Sequence, residues 1–137
     1  MASFYGVNHT KAYRNVPSEK IAPGEQSGSV LVAYDKYVAD GTEVGSDVIN
    51  LMKLPKGAKV LEVIISHDGF DATIDLGVSG DTNKYGSAIV LGASAAIARG
   101  DEGLLAELSA EELLYITLAD APVSGKVVEV AVMYSIY

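Results

Sequence analysis

The stretch Leu54 to Gly86, LPKGAKVLEVIISHDGFDATIDLGVSGDTNKYG, constrains the fold more than any other part of the chain. It reads as a turn, a strand, a turn, a second strand and a polar loop. Pro55-Lys56-Gly57 is a tight-turn signal, because proline presets φ and glycine accepts a positive φ without steric cost. From Lys59 to His67, Leu61, Val63 and Ile65 fall on one face and Glu62 and Ser66 on the other. A period of two in β-branched residues marks a half-buried strand. Ile64 breaks the alternation, which predicts that the outer face is covered as well. Asp68-Gly69 then reads as a hairpin turn. Ala72 to Val78 is the second strand of that central hairpin, closed by a loop through Gly77, Gly80 and Asp81-Thr82-Asn83.

Around this centre the chain repeats the same grammar. Val30 to Ala39 and Val44 to Leu54 read as strands before it, separated by the Asp40-Gly41 turn. After it, Ser87 to Leu91 is a short strand. Gly92 to Arg99 is a small-residue stretch that suits either a helical turn or a closely packed edge, and Leu104 to Leu108 is open between helix and strand. Ser109-Ala110-Glu111-Glu112 has capping-box spacing, but Leu113 to Leu118 is so rich in strand formers that the segment reads as one turn leading into a strand. Lys126 to Tyr137 is the last strand. One of its faces is a core stripe of Val128, Val130, Val132, Tyr134 and Ile136. The other carries Val127, Glu129, Ala131, Met133, Ser135 and Tyr137, too apolar for a solvated face. A central strand covered by a neighbouring subunit has this pattern, which singles out Met133 and Tyr137 as an oligomer interface. About eight short strands with turn signals at regular spacing predict an all-β domain over 29–137, a β-sandwich or jelly roll.

Residues 1–28 read differently. Val7, Val16 and Ile21 follow no period, and Pro17, Pro23-Gly24 and Ser27-Gly28 interrupt any regular element. Phe4, Tyr5 and Tyr13 are unusual in a simple linker, since disordered segments are poor in aromatics. The segment reads as an extended N-terminal arm that orders by laying its aromatics on a neighbour. It holds Lys11, Arg14 and Lys20 against Glu19 and Glu25, a net of +1, so the remainder of this chain of net charge −8 carries −9.

Composition narrows the function. An acidic body argues against nucleic-acid binding, which needs clustered Lys and Arg. No apolar run approaches the roughly 18 to 20 residues that span a bilayer, so no membrane partner is expected. The sequence opens without a basic region and apolar core of the secretory kind. Absence of cysteine excludes disulfides and thiolate metal sites. A hydrophobic share of 49% in such a chain predicts surface buried against other chains.

Candidate chemistry is thin, and no catalytic, cofactor or metal residue is expected. His9 and His67 are the two imidazoles, and His67 beside Asp68 and Asp71 reads as a surface turn. Asp81 to Gly86 begins like a calcium loop, but Lys84 and Tyr85 replace ligands and Gly92 stands where a glutamate is needed. A lone cation near Asp75 and Asp81 is the weaker alternative. Three function classes stay open at this point. One is a structural assembly protein. Another is a carbohydrate-binding module of a virion fibre or cell surface, stacking sugars on Tyr34, Tyr37 and Tyr85. The third is a small hydrolase built on His67, which lacks an identifiable acid–base pair.

The central stretch also resembles a family. N-L-M-K-L-P-K-G-A-K-V-L-E-V-I-I followed by T-I-D-L-G-V-S-G-D-T-N-K-Y is similar to head decoration, or cement, proteins of tailed bacteriophages. The positions that carry it are Leu54, Pro55, Gly57, Ala58, Val60 and Leu61, then Asp75, Gly77, Asp81 and Tyr85, together with the apolar strand ending at Tyr137. The resemblance implies a jelly-roll-like β-sandwich and a homo-oligomer, a trimer, on the exterior of a virion assembled in the host cytoplasm. It further implies that the arm, through Phe4, Tyr5, Tyr13 and Arg14, reaches subunits of the major capsid protein.

Overall fold

The computed structural model describes residues 30–136, and these form eight β-strands and no helix. The strands are β1 (Val30–Val38), β2 (Val48–Leu54), β3 (Lys59–Asp68), β4 (Ala72–Val78), β5 (Asp81–Leu91), β6 (Ala95–Gly100), β7 (Glu112–Leu118) and β8 (Val127–Ser135). Two four-stranded antiparallel sheets result, with orders β1-β8-β3-β6 and β2-β7-β4-β5. The first half of the chain pairs with the second in reverse: β1 with β8, β2 with β7, β3 with β6 and β4 with β5. This is one long hairpin closed at Ser79-Gly80. It is then rolled so that β3 meets β8 and β4 meets β7. The expected jelly roll is therefore present.

The core lies between the sheets. Val60, Val63 and Ile65 of β3 and Val128, Val130 and Val132 of β8 face Ile74 and Leu76 of β4 and Leu114 and Ile116 of β7, all buried. Burial of side chains of this size contributes about 1.5–3 kcal/mol each. β8 is indeed a central strand, with β1 on one side and β3 on the other.

Four expectations change. The central hairpin is not a hairpin, because β3 and β4 lie in different sheets and Asp68-Gly69 begins the crossing between them. Gly69 takes φ +106 there, and an added Cβ would meet the carbonyl oxygen of Ala93 at 2.7 Å, so the corner requires glycine. Phe70 follows with its ring fully buried. Leu61 is not on the core face. A bulge shifts the register between Val60 and Glu62, so Val60 joins Val63 and Ile65 inside. Asp81 to Asn83 belong to strand β5 rather than to a loop. His67 is not a surface residue either: it is 5% exposed, paired with Val128 across the ladder. Its Nδ1 accepts the Gly69 N–H at 3.2 Å, with the Phe70 N–H at 3.4 Å. A turn inside the fold needs its amides satisfied, and the imidazole does so. The small-residue stretch resolves as the edge strand β6, with no helical turn.

Candidate interaction surface

Two of the carboxylates that sequence reading weighed for chemistry, Asp68 and Asp75, are bound to the chain's own backbone, as is Asp120. Asp68 Oδ1 accepts the Val127 N–H at 2.8 Å, Asp75 Oδ1 the Ala88 N–H at 2.7 Å, and Asp120 Oδ1 the Thr73 N–H at 2.8 Å. Each fixes a strand end or bulge. Among the described residues, no group of three or more His, Asp or Glu side chains is placed to hold a metal ion. No helix long and apolar enough to cross a membrane occurs among them.

The most constrained polar group is Glu43, which is buried. Its Oε1 accepts the Tyr37 hydroxyl at 2.6 Å and the Asp40 N–H at 2.9 Å, while Oε2 accepts the Gly41 N–H at 3.1 Å. The hydroxyl of Tyr37, more than any other group, holds the Glu43 carboxyl down at about 2. The same bond pushes the Tyr37 phenol up to about 12. The cluster clamps the end of β1 to the 40–43 turn and lines an open cleft with Asp47 and Asn50. Because the folded carboxyl titrates below its unfolded value, its contribution is present above the ordinary glutamate range and is lost as pH falls towards 2. Glu43→Gln is expected to cost about 2 kcal/mol at neutral pH, the scale of hydrogen bonds to a charged group. The difference from the parent should close as the pH drops from about 4.5 to about 2. Thermal melts of both proteins across that range check this.

Of the tyrosines offered for sugar stacking, only Tyr34 is exposed. Tyr37 is half-buried and committed to Glu43. Tyr85 is 1% exposed, and burial pushes its phenol up to about 12. Its ring packs under Gly103, beside the half-buried Lys84–Glu112 ion pair that links β5 to β7 at 2.9 Å.

The chain instead presents surfaces. The outer face of the β1-β8-β3-β6 sheet is a mosaic. Tyr34, Ala131, Ile64 and Arg99 form one row across it, and Lys36, Glu129, Ser66 and Ile97 the next. Met133 sits there between Val32 and Glu62, half-buried. Arg99 pairs with Glu62 on the same face. Ile64 is thus an outer-face residue, as its break in alternation suggested. The other singled-out residues, Phe4, Tyr5, Tyr13, Arg14 and Tyr137, lie outside the described residues.

A second surface went unread in the sequence. Of the twelve exposed large apolar side chains among the described residues, seven fall between Val30 and Val48, which locates the greatest apolar exposure on β1 and the turn after it. The available signal was Val30-Leu31-Val32, apolar at both parities, but that pattern fits a covered central strand equally well.

No family model matches the chain, and no curated protein matches it. Solved structures do. A chain of the cyanophage Pam1 capsid asymmetric unit is 27% identical with a TM-score of 0.70, over 92% of this chain and 99% of that one. The structural neighbours are chains of phage capsids. A chain from the capsid of Ralstonia phage GP4 has a TM-score of 0.68 at 19% identity, covering 80% of this chain and 86% of its own. One from the acidic stable capsid of Helicobacter pylori bacteriophage KHP30 has 0.61 at 16%, covering 80% and 90%. At those identities the last two speak for the fold. The sequence resemblance and the structural likeness thus point independently to phage virions.

Proposed function

We propose that this chain is a structural protein of a phage virion, which decorates the capsid exterior and stabilises it by bridging subunits of the major capsid protein. The observation that carries the proposal is the likeness, over nearly the whole of both chains, to a chain of the Pam1 capsid asymmetric unit. The surface supports it: semi-apolar faces are exposed, and Glu43, Asp47 and Asp68, which line the clefts, already accept backbone amides. A protein that binds the assembled shell and not its dissociated subunits stabilises assembly by mass action. In this reading the copies assemble on the shell as a trimer, through the face that carries Met133 and through Tyr137. The arm anchors the trimer to the shell through Phe4, Tyr5, Tyr13 and Arg14, since aromatics and arginine carry most interface energy.

Deleting residues 2–28 is expected to leave the sandwich folded and to abolish binding to shells that lack the protein. Co-sedimentation of full-length and truncated chains with such shells, beside circular dichroism of each, makes the comparison. Equal sedimentation of the two would reject the arm as the anchor.

A further inference from the structure

Among the described residues, one of the four sheet edges is left open. β2 is interrupted by a bulge between Asn50 and Lys53, β5 is irregular against β4, and β6 is six residues long. Bulges and short strands blunt an edge against pairing with another chain. β1 has neither device. It runs nine residues in unbroken register, from Val30 opposite Ser135 to Val38 opposite Val127, and none of its residues is buried. Val30, Val32, Tyr34 and Val38 are each 50–59% exposed. An edge this long, straight and apolar is a template for an added strand.

The order of residues in VLVAYDKYV selects the strand that fits. Two copies pairing antiparallel about a two-fold axis present the same patch to each other. The alternation of faces requires that axis to pass through a residue rather than between two. An axis on Asp35 or on Lys36 sets like charges directly opposite, which destabilises a cross-strand pair. An axis on Ala33 leaves Val38 beyond the overlap. An axis on Tyr34 does neither. It places Val30 opposite the partner's Val38, Leu31 opposite the partner's Tyr37, and the two Tyr34 rings against each other. Aromatic pairs at such positions stabilise a sheet. Val32 then meets the partner's Lys36 and Ala33 the partner's Asp35, so no like charges oppose each other.

We propose that two copies of this chain pair antiparallel through β1, with Tyr34 on the two-fold axis, and join their β1-β8-β3-β6 sheets into one eight-stranded sheet. The contact uses the sheet edge, so it leaves the Met133 face free for a separate three-fold contact. It stands independently of the virion reading, because it concerns the isolated chain.

The chain contains no cysteine, which makes the test clean. Opposed residues of an antiparallel pair have Cα atoms about 4.5–5.5 Å apart, within the span of a disulfide. Free of shells, the full chain is expected to sediment as a dimer across a concentration series. Tyr34→Cys should close to a covalent dimer under mild oxidation, while Met133→Cys should not. Tyr34→Lys should lose the dimer without change in circular dichroism. A full chain that stays monomeric at every concentration overturns the proposal. So does an oligomer that Met133→Cys cross-links and Tyr34→Cys does not.

Discussion

Phe70→Ala is expected to lower the stability of the sandwich by about 3–5 kcal/mol, the usual cost of truncating a buried aromatic. The ring is fully buried at the point where the chain leaves the β3 sheet for the β4 sheet. Its neighbours have little freedom to collapse into the vacated space. The Phe70 carbonyl accepts the Val123 N–H at 3.0 Å, and the adjoining amides are held by His67. The corner therefore ties three segments together, the β3 end, the β4 start and the 121–125 loop. Domains of this size are stable by only about 5–15 kcal/mol, so the substitution should remove a large share of the total. Equilibrium urea unfolding should show a much lower midpoint at an unchanged slope. A loss under about 1 kcal/mol would mean that the corner is not packed as described.

Gly77→Ala is the second large effect. A Cβ at Gly77 would lie 2.3 Å from the Asp81 carbonyl oxygen and 2.4 Å from the Thr82 carbonyl carbon. Both are backbone atoms of β5, folded tightly over the end of β4 in the closing hairpin, so they cannot rotate away as a side-chain tip would. Relief requires that β5 move off β4, where the pairing already shifts register twice. Overpacking of this kind costs about 1–3 kcal/mol or more. Gly92→Ala is the control, because nothing lies within 4 Å of a Cβ there. The melting temperature of Gly77→Ala should fall by several degrees and that of Gly92→Ala should hold. Equal effects would remove the close approach as the cause.

The strands themselves were legible because a half-buried strand writes its period into the sequence. β3, β4, β7 and β8 were found within a residue or two, and the apolar outer face of β8 correctly marked it as a central strand. Pairing was not legible. Asp68-Gly69 has the chemistry of a hairpin turn, but the same chemistry serves a crossing between sheets. Which one forms depends on β3 finding β8 and β6, at least 27 residues away in sequence, the separation of Asp68 from Ala95. The bulge at Leu61 had the same effect on a smaller scale, exchanging one core residue for its neighbour. His67 was misplaced because flanking aspartates suggested solvent, whereas its ring is recruited inward by two turn amides. The open edge at β1 could not be seen at all, since being an edge is a property of the sheet order and not of the strand. Of the candidate site residues, Met133 lands on the outer face where its alternation put it, and the arm residues lie outside the described chain.

The proposed role makes this protein a stoichiometric part of a phage shell. The most direct test is its copy number in purified virions, measured against the most abundant shell protein by quantitative mass spectrometry. A ratio within a few-fold of that shell protein is the expected result. A handful of copies per particle, or none, would contradict it.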